Sequence, residues 1–191
     1  AYADWGRFKS DQGKLLELGV DMVFLPTYGL KDKNRTDTAI AVDAMEVLSL
    51  HPMIDTFVIV SGDSDFGVLA RKLRGYGKHI IGVSAKKSAS KVLVSLCHEF
   101  IFYETLVGKK VSGYSQKEGK KLLDKVLPAL AEDYGTGFQP SLVKDRLRKA
   151  DSTFNERNFG FNSFIKFLED YPALLSVERF KGGRNEVTVN E

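Results

Sequence analysis

Four short runs of branched and aromatic residues punctuate the first 104 positions: "VDMVFLP" (20–26), "TFVIVS" (56–61), "HIIGVS" (79–84) and "FIFYE" (100–104). Each is shorter than a typical core helix and rich in side chains that suit a pleated surface, so each reads as a buried strand. Helix-like segments lie around and between them, at about 8–18, 36–50, 64–75 and 88–98. Gly19, Gly75 and Gly77 fall where those helices should stop. Strand and helix in alternation leave few choices. Parallel strands need a crossover, and a helix is the usual one, so the pattern predicts an α/β fold with a mainly parallel sheet.

After Glu104 the pattern changes. "TLVGKKVSGYSQKEGKK" is polar and reads as a linker. Helical periodicity returns at about 117–134, 141–150 and 161–170, and the chain ends in two alternating strands around Gly182-Gly183, a hairpin signal. Three helices and a hairpin predict a winged helix-turn-helix. The expected division is a domain at 1–106, a linker at 107–116 and a second domain at 117–191. With 191 residues and 43% hydrophobic content, the chain is long enough for two small cores. Its 28 basic and 25 acidic residues give net +3, a weak lean toward polyanions. Cys97 is the single cysteine, which excludes an internal disulfide and fits a reducing, cytoplasmic setting. No apolar run is long enough to span a membrane, and no signal peptide is legible.

In "TFVIVSGDSDFGVLARKL" two acids stand at the lip of a strand. Ligands of parallel sheets gather outside the carboxyl ends of the strands, so Asp63 and Asp65 lie on the ligand edge. Asp37, after Thr36, opens the helix at 36–50, whose N-terminus should lie on that same edge. Three carboxylates from two loops converge by topology. Clustered carboxylates either take up protons or hold a cation, and an oxygen-only set suits Mg²⁺ or Mn²⁺. Ser61 and Ser64 are placed to orient a water or to cap the helix. Asp43 lies six residues beyond Asp37, about 9 Å along the helix at ~1.5 Å per residue and on another face, and is a supporting or surface group. Asp4, at the end of the opening "AYADWG", could face the same edge. The bland reading is that Thr36, Asp37 and Asp63–Asp65 are helix caps. His51, His79 and His98 show no ligand spacing.

The stretch "VIVSGDSDFGVLARKLRGYGKHIIGV" resembles the signature of the NYN domain, in its LabA-like branch of the PIN-like nuclease superfamily, over residues 1 to about 104. "KNRTDTAIAVDAMEVL" is similar to that family's Lys-x-x-x-Asp helix start, and "AYADW" to its second strand. The resemblance implies a three-layer α/β sandwich with an acidic Mg²⁺ or Mn²⁺ site, and Asp37, Asp63 and Asp65 as the metal-coordinating acids. The family begins with a further acidic strand, in a pattern like "FIDGDN", which has no counterpart in this sequence. The implied strand order is 3-2-1-4-5. Residues 1–4 and 56–61 are therefore expected to flank the central position without pairing with each other.

"SLVKDRLRKADSTFNERNFGFNSFIKFLEDYPALLSVERFKGGRNEVTVNE" resembles the LOTUS domain, also called OST-HTH, which implies a winged-helix module that binds RNA or docks a protein partner. Lys144, Arg148 and Lys149 give the helix at 141–150 a basic face, and Lys181 and Arg184 flank the wing turn. The bland reading is a solvated face with an Asp145–Lys149 pair. Lys86 and Lys87, in "KKSASK", are further candidate phosphate contacts on the ligand edge. Phe159, Phe161, Phe164, Phe167 and Leu168 have helical spacing and read as core.

Together these readings predict a Mg²⁺- or Mn²⁺-dependent endoribonuclease with an appended RNA-binding winged helix. The alternative is a non-catalytic RNA-binding or scaffolding protein on a degenerate nuclease fold. A phosphatase is the weaker rival, because an aspartyl nucleophile should follow its strand directly, whereas Ser61-Gly62 intervene.

Overall fold

The computed structural model describes residues 1–26, 34–109, 111, 113–135, 137–180 and 185–190. Lys181, Arg184 and the turn at Gly182-Gly183 lie outside the described residues, as does most of the loop before Asp37. The chain divides into two compact units, Ala1–Asp55 and Thr56–Glu191.

In the first unit, β1 (Tyr2–Ala3) pairs in parallel with β2 (Val23–Phe24). A single 3₁₀ turn and α1 (Lys9–Glu17) connect them. Gly19 takes a φ of 70°, which lets the chain reverse after α1 at no steric cost. The expected strand at 20–26 shrinks to two paired residues, because its partner β1 is equally short. α2 (Arg35–Leu50) follows. Tyr2 Oη donates to Asp43 Oδ2 at 2.8 Å and ties β1 to the third turn of α2. Burial, then the Asp43 carboxylate, push the Tyr2 hydroxyl above its ordinary range.

The second unit opens with β3 (Thr56–Val60), α3 (Phe66–Gly75), β4 (His79–Ser84), α4 (Lys91–Leu96), β5 (Glu99–Phe102) and the short α5 (Tyr103–Leu106). The sheet is parallel with order β3-β4-β5, as the alternation predicts. Leu69, Ala70 and Leu73 of α3, Ile80, Leu93, Phe100 and Phe102 form its core. Cys97 is buried there, and burial pushes its thiol up to about 11, so it stays protonated and inert at neutral pH. β3 is not a fully buried strand: Ile59 is buried, but Val58 and Val60 are 57% and 76% exposed. β3 is an edge strand, and its alternation puts both valines on one uncovered face. Within its own unit, β1 pairs with β2 and β3 with β4.

α6 (Gln116–Tyr134), α7 (Pro140–Ala150), α8 (Phe164–Glu169), β7 (Leu175–Arg179) and β8 (Asn185–Val189) form the winged helix, joined by a strand the sequence did not reveal, β6 (Gly137–Phe138). The antiparallel order is β6-β8-β7. Two residues cannot display a period of two, which is why β6 is illegible in the sequence. Ser115 caps α6 by accepting from the Glu118 N–H at 3.3 Å. The strand expected at 100–104 ends at Phe102, and Tyr103–Leu106 form a single helical turn before the expected linker. Phe167 is the hub of the core, with Phe154, Phe159, Phe161, Phe164 and Tyr171 rings 5.2–5.9 Å away. Leu123, Leu130, Val143, Leu147, Leu168 and Val187 complete it without exposure.

Within this unit the winged helix is fastened to the free edge of the parallel sheet. The Phe100 N–H of β5 donates to Ser152 O at 2.7 Å, and Ser152 Oγ donates to Val94 O at 2.9 Å. Tyr114 Oη donates to Thr153 Oγ1 at 2.7 Å, and Thr105 Oγ1 donates to the buried Asn158 Oδ1. An edge strand with unpaired N–H groups invites aggregation; here a loop from the winged helix satisfies it.

Candidate metal centre and basic surface

Residues 61–65 join β3 to α3. The Asp63 N–H donates to Ser61 Oγ at 3.2 Å. Asp63 Oδ1 then accepts from the Asp65 N–H at 3.0 Å and from Ser64 Oγ at 3.4 Å. This is an Asx-type turn, so part of the capping reading holds for Asp63. It consumes one carboxylate oxygen and leaves Oδ2 for a ligand. Asp65 occupies the N-cap position of α3, yet its side chain makes no capping bond. Both acids are exposed, at the N-terminus of a ten-residue helix whose dipole favours negative charge.

The turn is braced from behind. Gly62 O accepts from the Ser90 N–H at 3.0 Å, and a Cβ at Gly62 would strike the Ser88 carbonyl. Only glycine lets the backbone at 85–90 approach so closely. That segment, containing the 3₁₀ turn Lys86–Ser88, is itself held by Glu104, whose two carboxylate oxygens accept from the Lys86 N–H at 3.2 and 3.0 Å. The Lys86 N–H, then Glu104's own N–H, hold that carboxyl below its usual range. The Lys86 ammonium lies 4.3 Å from the Phe102 ring and 5.1 Å from the Tyr114 ring, while Lys87 is exposed.

Asp37 belongs to the other unit, in the first turn of α2. Asn34, the N-cap, makes no side-chain capping bond, and Thr38 Oγ1 donates back to Asn34 O at 2.8 Å. Asp43 is occupied by Tyr2, and Asp4 precedes the 3₁₀ turn Trp5–Arg7 without capping it through its side chain.

The expected basic face of α7 is largely committed to ion pairs. Lys144 meets Glu156 at 2.8 Å and lies 5.4 Å from the Phe164 ring. Arg148 meets Glu99 of β5 at 3.0 Å, and Arg146 meets Asp133. Among the described residues the helix-local Asp145–Lys149 pair does not form. Lys149 is exposed. Sequence reasoning missed Glu99 and Glu156 as partners; they stand 49 and 12 residues away and carry no local signal.

The NYN domain model matches residues 1–104, and the OST-HTH/LOTUS domain model matches residues 115–187. Uncharacterized protein MJ0482 of Methanocaldococcus jannaschii (strain ATCC 43067 / DSM 2661 / JAL-1 / JCM 10045 / NBRC 100440) is 31% identical over 114 residues. That alignment covers 60% of this chain and 44% of the relative, so the chain spans less than half of that protein. The crystal structure of VPA0982, a protein of unknown function from Vibrio parahaemolyticus RIMD 2210633, aligns with a TM-score of 0.46 at 24% identity, covering 54% of this chain and 66% of that one. Among the described residues no helix is long and apolar enough to cross a membrane. The parallel sheet with its acidic turn, the winged helix behind it and a match over more than half of the chain converge: this chain belongs to the NYN domain family, within a nuclease superfamily, and carries an OST-HTH/LOTUS domain after it.

Proposed function

We propose that the protein is a Mg²⁺- or Mn²⁺-dependent endoribonuclease whose winged helix binds the RNA that is cut, with the two domains joined at 107–116. Asp37, Asp63 and Asp65 together hold the cation. The observation that carries this reading is the turn at 61–65: Asp65 stands at a helix start without capping it, and Asp63 keeps one carboxylate oxygen unspent. A capping role alone leaves both facts without a reason. The donor set is oxygen only, which fits a hard divalent ion and excludes a preference for zinc-type nitrogen or sulfur ligation.

When bound, such a cation supplies a more acidic coordinated water and neutralises charge building on the phosphodiester. The chain's own residues set the stage. Ser61 fixes the backbone of Asp63, and the Asp65 N–H and Ser64 hydroxyl fix its carboxylate, so the acid meets a ligand in one rotamer. The brace from Ser90 to Gly62 keeps that turn from recoiling. The winged helix raises the local concentration of RNA at the acids.

The test is direct. The protein incubated with end-labelled RNA and Mn²⁺ should yield internal fragments, and excess chelator should stop it. RNA bound but uncut in Mn²⁺ and Mg²⁺ alike would instead establish the non-catalytic reading, and release of phosphate from monoesters without RNA cleavage would establish a phosphatase.

A further inference from the structure

A groove of about 1090 Å³ lies where the winged helix meets the edge of the parallel sheet. It lies just above the ~300–1,000 Å³ range of small-molecule pockets, which suits a length of chain more than a compact metabolite. Arg74, His79, Lys91 and His98 line it from the sheet side, and Arg148 and Lys149 from α7. Five Lys and Arg side chains line it against three acids, Glu99, Asp145 and Asp151. The Glu99–Arg148 pair cancels one charge of each sign, which leaves four cations against Asp145 and Asp151. The groove is therefore a cationic one.

Three details point to the ligand's chemistry. The Arg148 Nε–H is buried and has no acceptor among the described residues, although Nη2 of the same guanidinium reaches Glu99. A buried donor without an acceptor is costly, and a phosphate oxygen satisfies a guanidinium fork well. Second, the His79 and His98 rings stack 4.6 Å apart at 22°. The Ile80 N–H donates to His98 Nδ1 at 3.0 Å, which leaves Nε2 as the N–H donor of a neutral ring. Burial, then Arg74 and His79, hold His98 below its usual range and keep it neutral. A flat imidazole with one N–H suits an unstacked base. Third, Lys86 and Ala89 line the same groove, and their segment is bonded through Ser90 to Gly62, beside Asp63. β4 runs between His79 and that segment, about 20 Å for its six residues at ~3.3 Å each.

We infer that this groove is a track for single-stranded RNA, its phosphates held by Arg74, Lys91, Arg148 and Lys149 and its path leading from the His79–His98 pair to the segment beside the acidic turn. The inference deepens the nuclease reading and rests on it for the choice of RNA. It assigns binding to the seam between the two folds, where neither fold alone supplies the site.

The experiment is fluorescence anisotropy of a labelled, unstructured 12-nucleotide RNA with the full chain in chelator, at several salt concentrations. Lys91→Glu with Lys149→Glu should weaken binding at least tenfold and lower the slope of log Kd on log salt by about 1.4, two phosphate contacts at ~0.7 each. Both lysines are exposed, and Glu at the first position of α4 suits the helix dipole, so the fold tolerates the change. Lys117→Glu with Lys125→Glu, the same charge change on exposed positions of α6, should stay within twofold of the parent. Equal loss in both variants would show a diffuse field and overturn the groove. Unchanged binding by the Lys91/Lys149 variant, with the parent binding and cutting RNA, would overturn the groove and leave the nuclease reading standing. Tighter binding of a duplex of the same sequence would overturn the single-strand assignment. Failure of the parent to bind RNA at all would overturn both.

Discussion

Replacing Asp63 by Asn is expected to lower Mn²⁺-dependent RNA cleavage by about three orders of magnitude or more while leaving RNA affinity within about twofold. That loss corresponds to ~4 kcal/mol of transition-state stabilisation at ~1.4 kcal/mol per decade. The substitution is nearly isosteric. An amide oxygen still accepts from the Asp65 N–H and from Ser64 Oγ, so the turn at 61–65 keeps its bonds. What disappears is a charge at the metal. Because clustered carboxylates repel in the absence of metal, the metal-free variant should melt no lower than the parent. Single-turnover cleavage with saturating protein reads the first quantity, anisotropy the second and a thermal melt the third. Cleavage at the parental rate would mean that another centre does the chemistry.

The second large effect is expected at Gly62, through packing. A methyl group there meets the Ser88 carbonyl, with the Ser88 carbonyl carbon at 2.8 Å and its Cβ at 3.2 Å. These atoms are backbone or sit directly on it, so they cannot swing aside as a long side chain would. The segment must move, and the Ser90 N–H to Gly62 O bond of 3.0 Å breaks with it. Overpacking of this kind costs about 1–3 kcal/mol, and the lost buried bond adds about 1 kcal/mol. Gly62→Ala should therefore lower the melting temperature by roughly 5–15 °C, at ~2–4 °C per kcal/mol for a domain of this size. Asp63 is the next residue, so cleavage should fall along with stability. The same substitution at Gly13, where a Cβ meets nothing within 4 Å, should be neutral or mildly stabilising to its helix. Melting of Gly62→Ala within 1 °C of the parent would show that the close approach does not exist.

The parts of this protein that repeat a period were legible in its sequence, and the parts that depend on a distant partner were not. α3 could be read because its apolar positions recur on one helical face and Gly77, with a φ of 74°, follows its end. β4 was legible over its full length, since a central strand is apolar on both faces. The same reasoning overreached for β3, whose composition matches β4 but whose place at the sheet edge leaves Val58 and Val60 exposed. Composition reports what a strand can bury, and the neighbours decide what it does bury. Around the candidate site, Asp63 and Asp65 could be placed between β3 and α3 because two acids beyond a strand end have a fixed topological address. Their local bonding could not: whether an acid caps a helix turns on a rotamer, and only Asp63 spends an oxygen on the turn. The basic face of α7 was the least legible. Its lysines and arginines looked solvated from within the helix, but Glu99 and Glu156 are brought to them by the fold. The Phe100 N–H bond to Ser152 O, which fastens the winged helix to the sheet, joins positions 52 residues apart with no feature in common.

If Asp37 shares one cation with Asp63 and Asp65, Mn²⁺ binding reads that sharing without reference to activity. Isothermal titration or Mn²⁺ electron paramagnetic resonance would be applied to the parent chain, to Asp37→Asn and to Asp63→Asn. A single class of tight Mn²⁺ site is expected in the parent, weakened at least tenfold, ~1.4 kcal/mol, by either substitution. Parental Mn²⁺ affinity in Asp37→Asn, alongside loss in Asp63→Asn, would contradict it and confine the metal to the turn after β3.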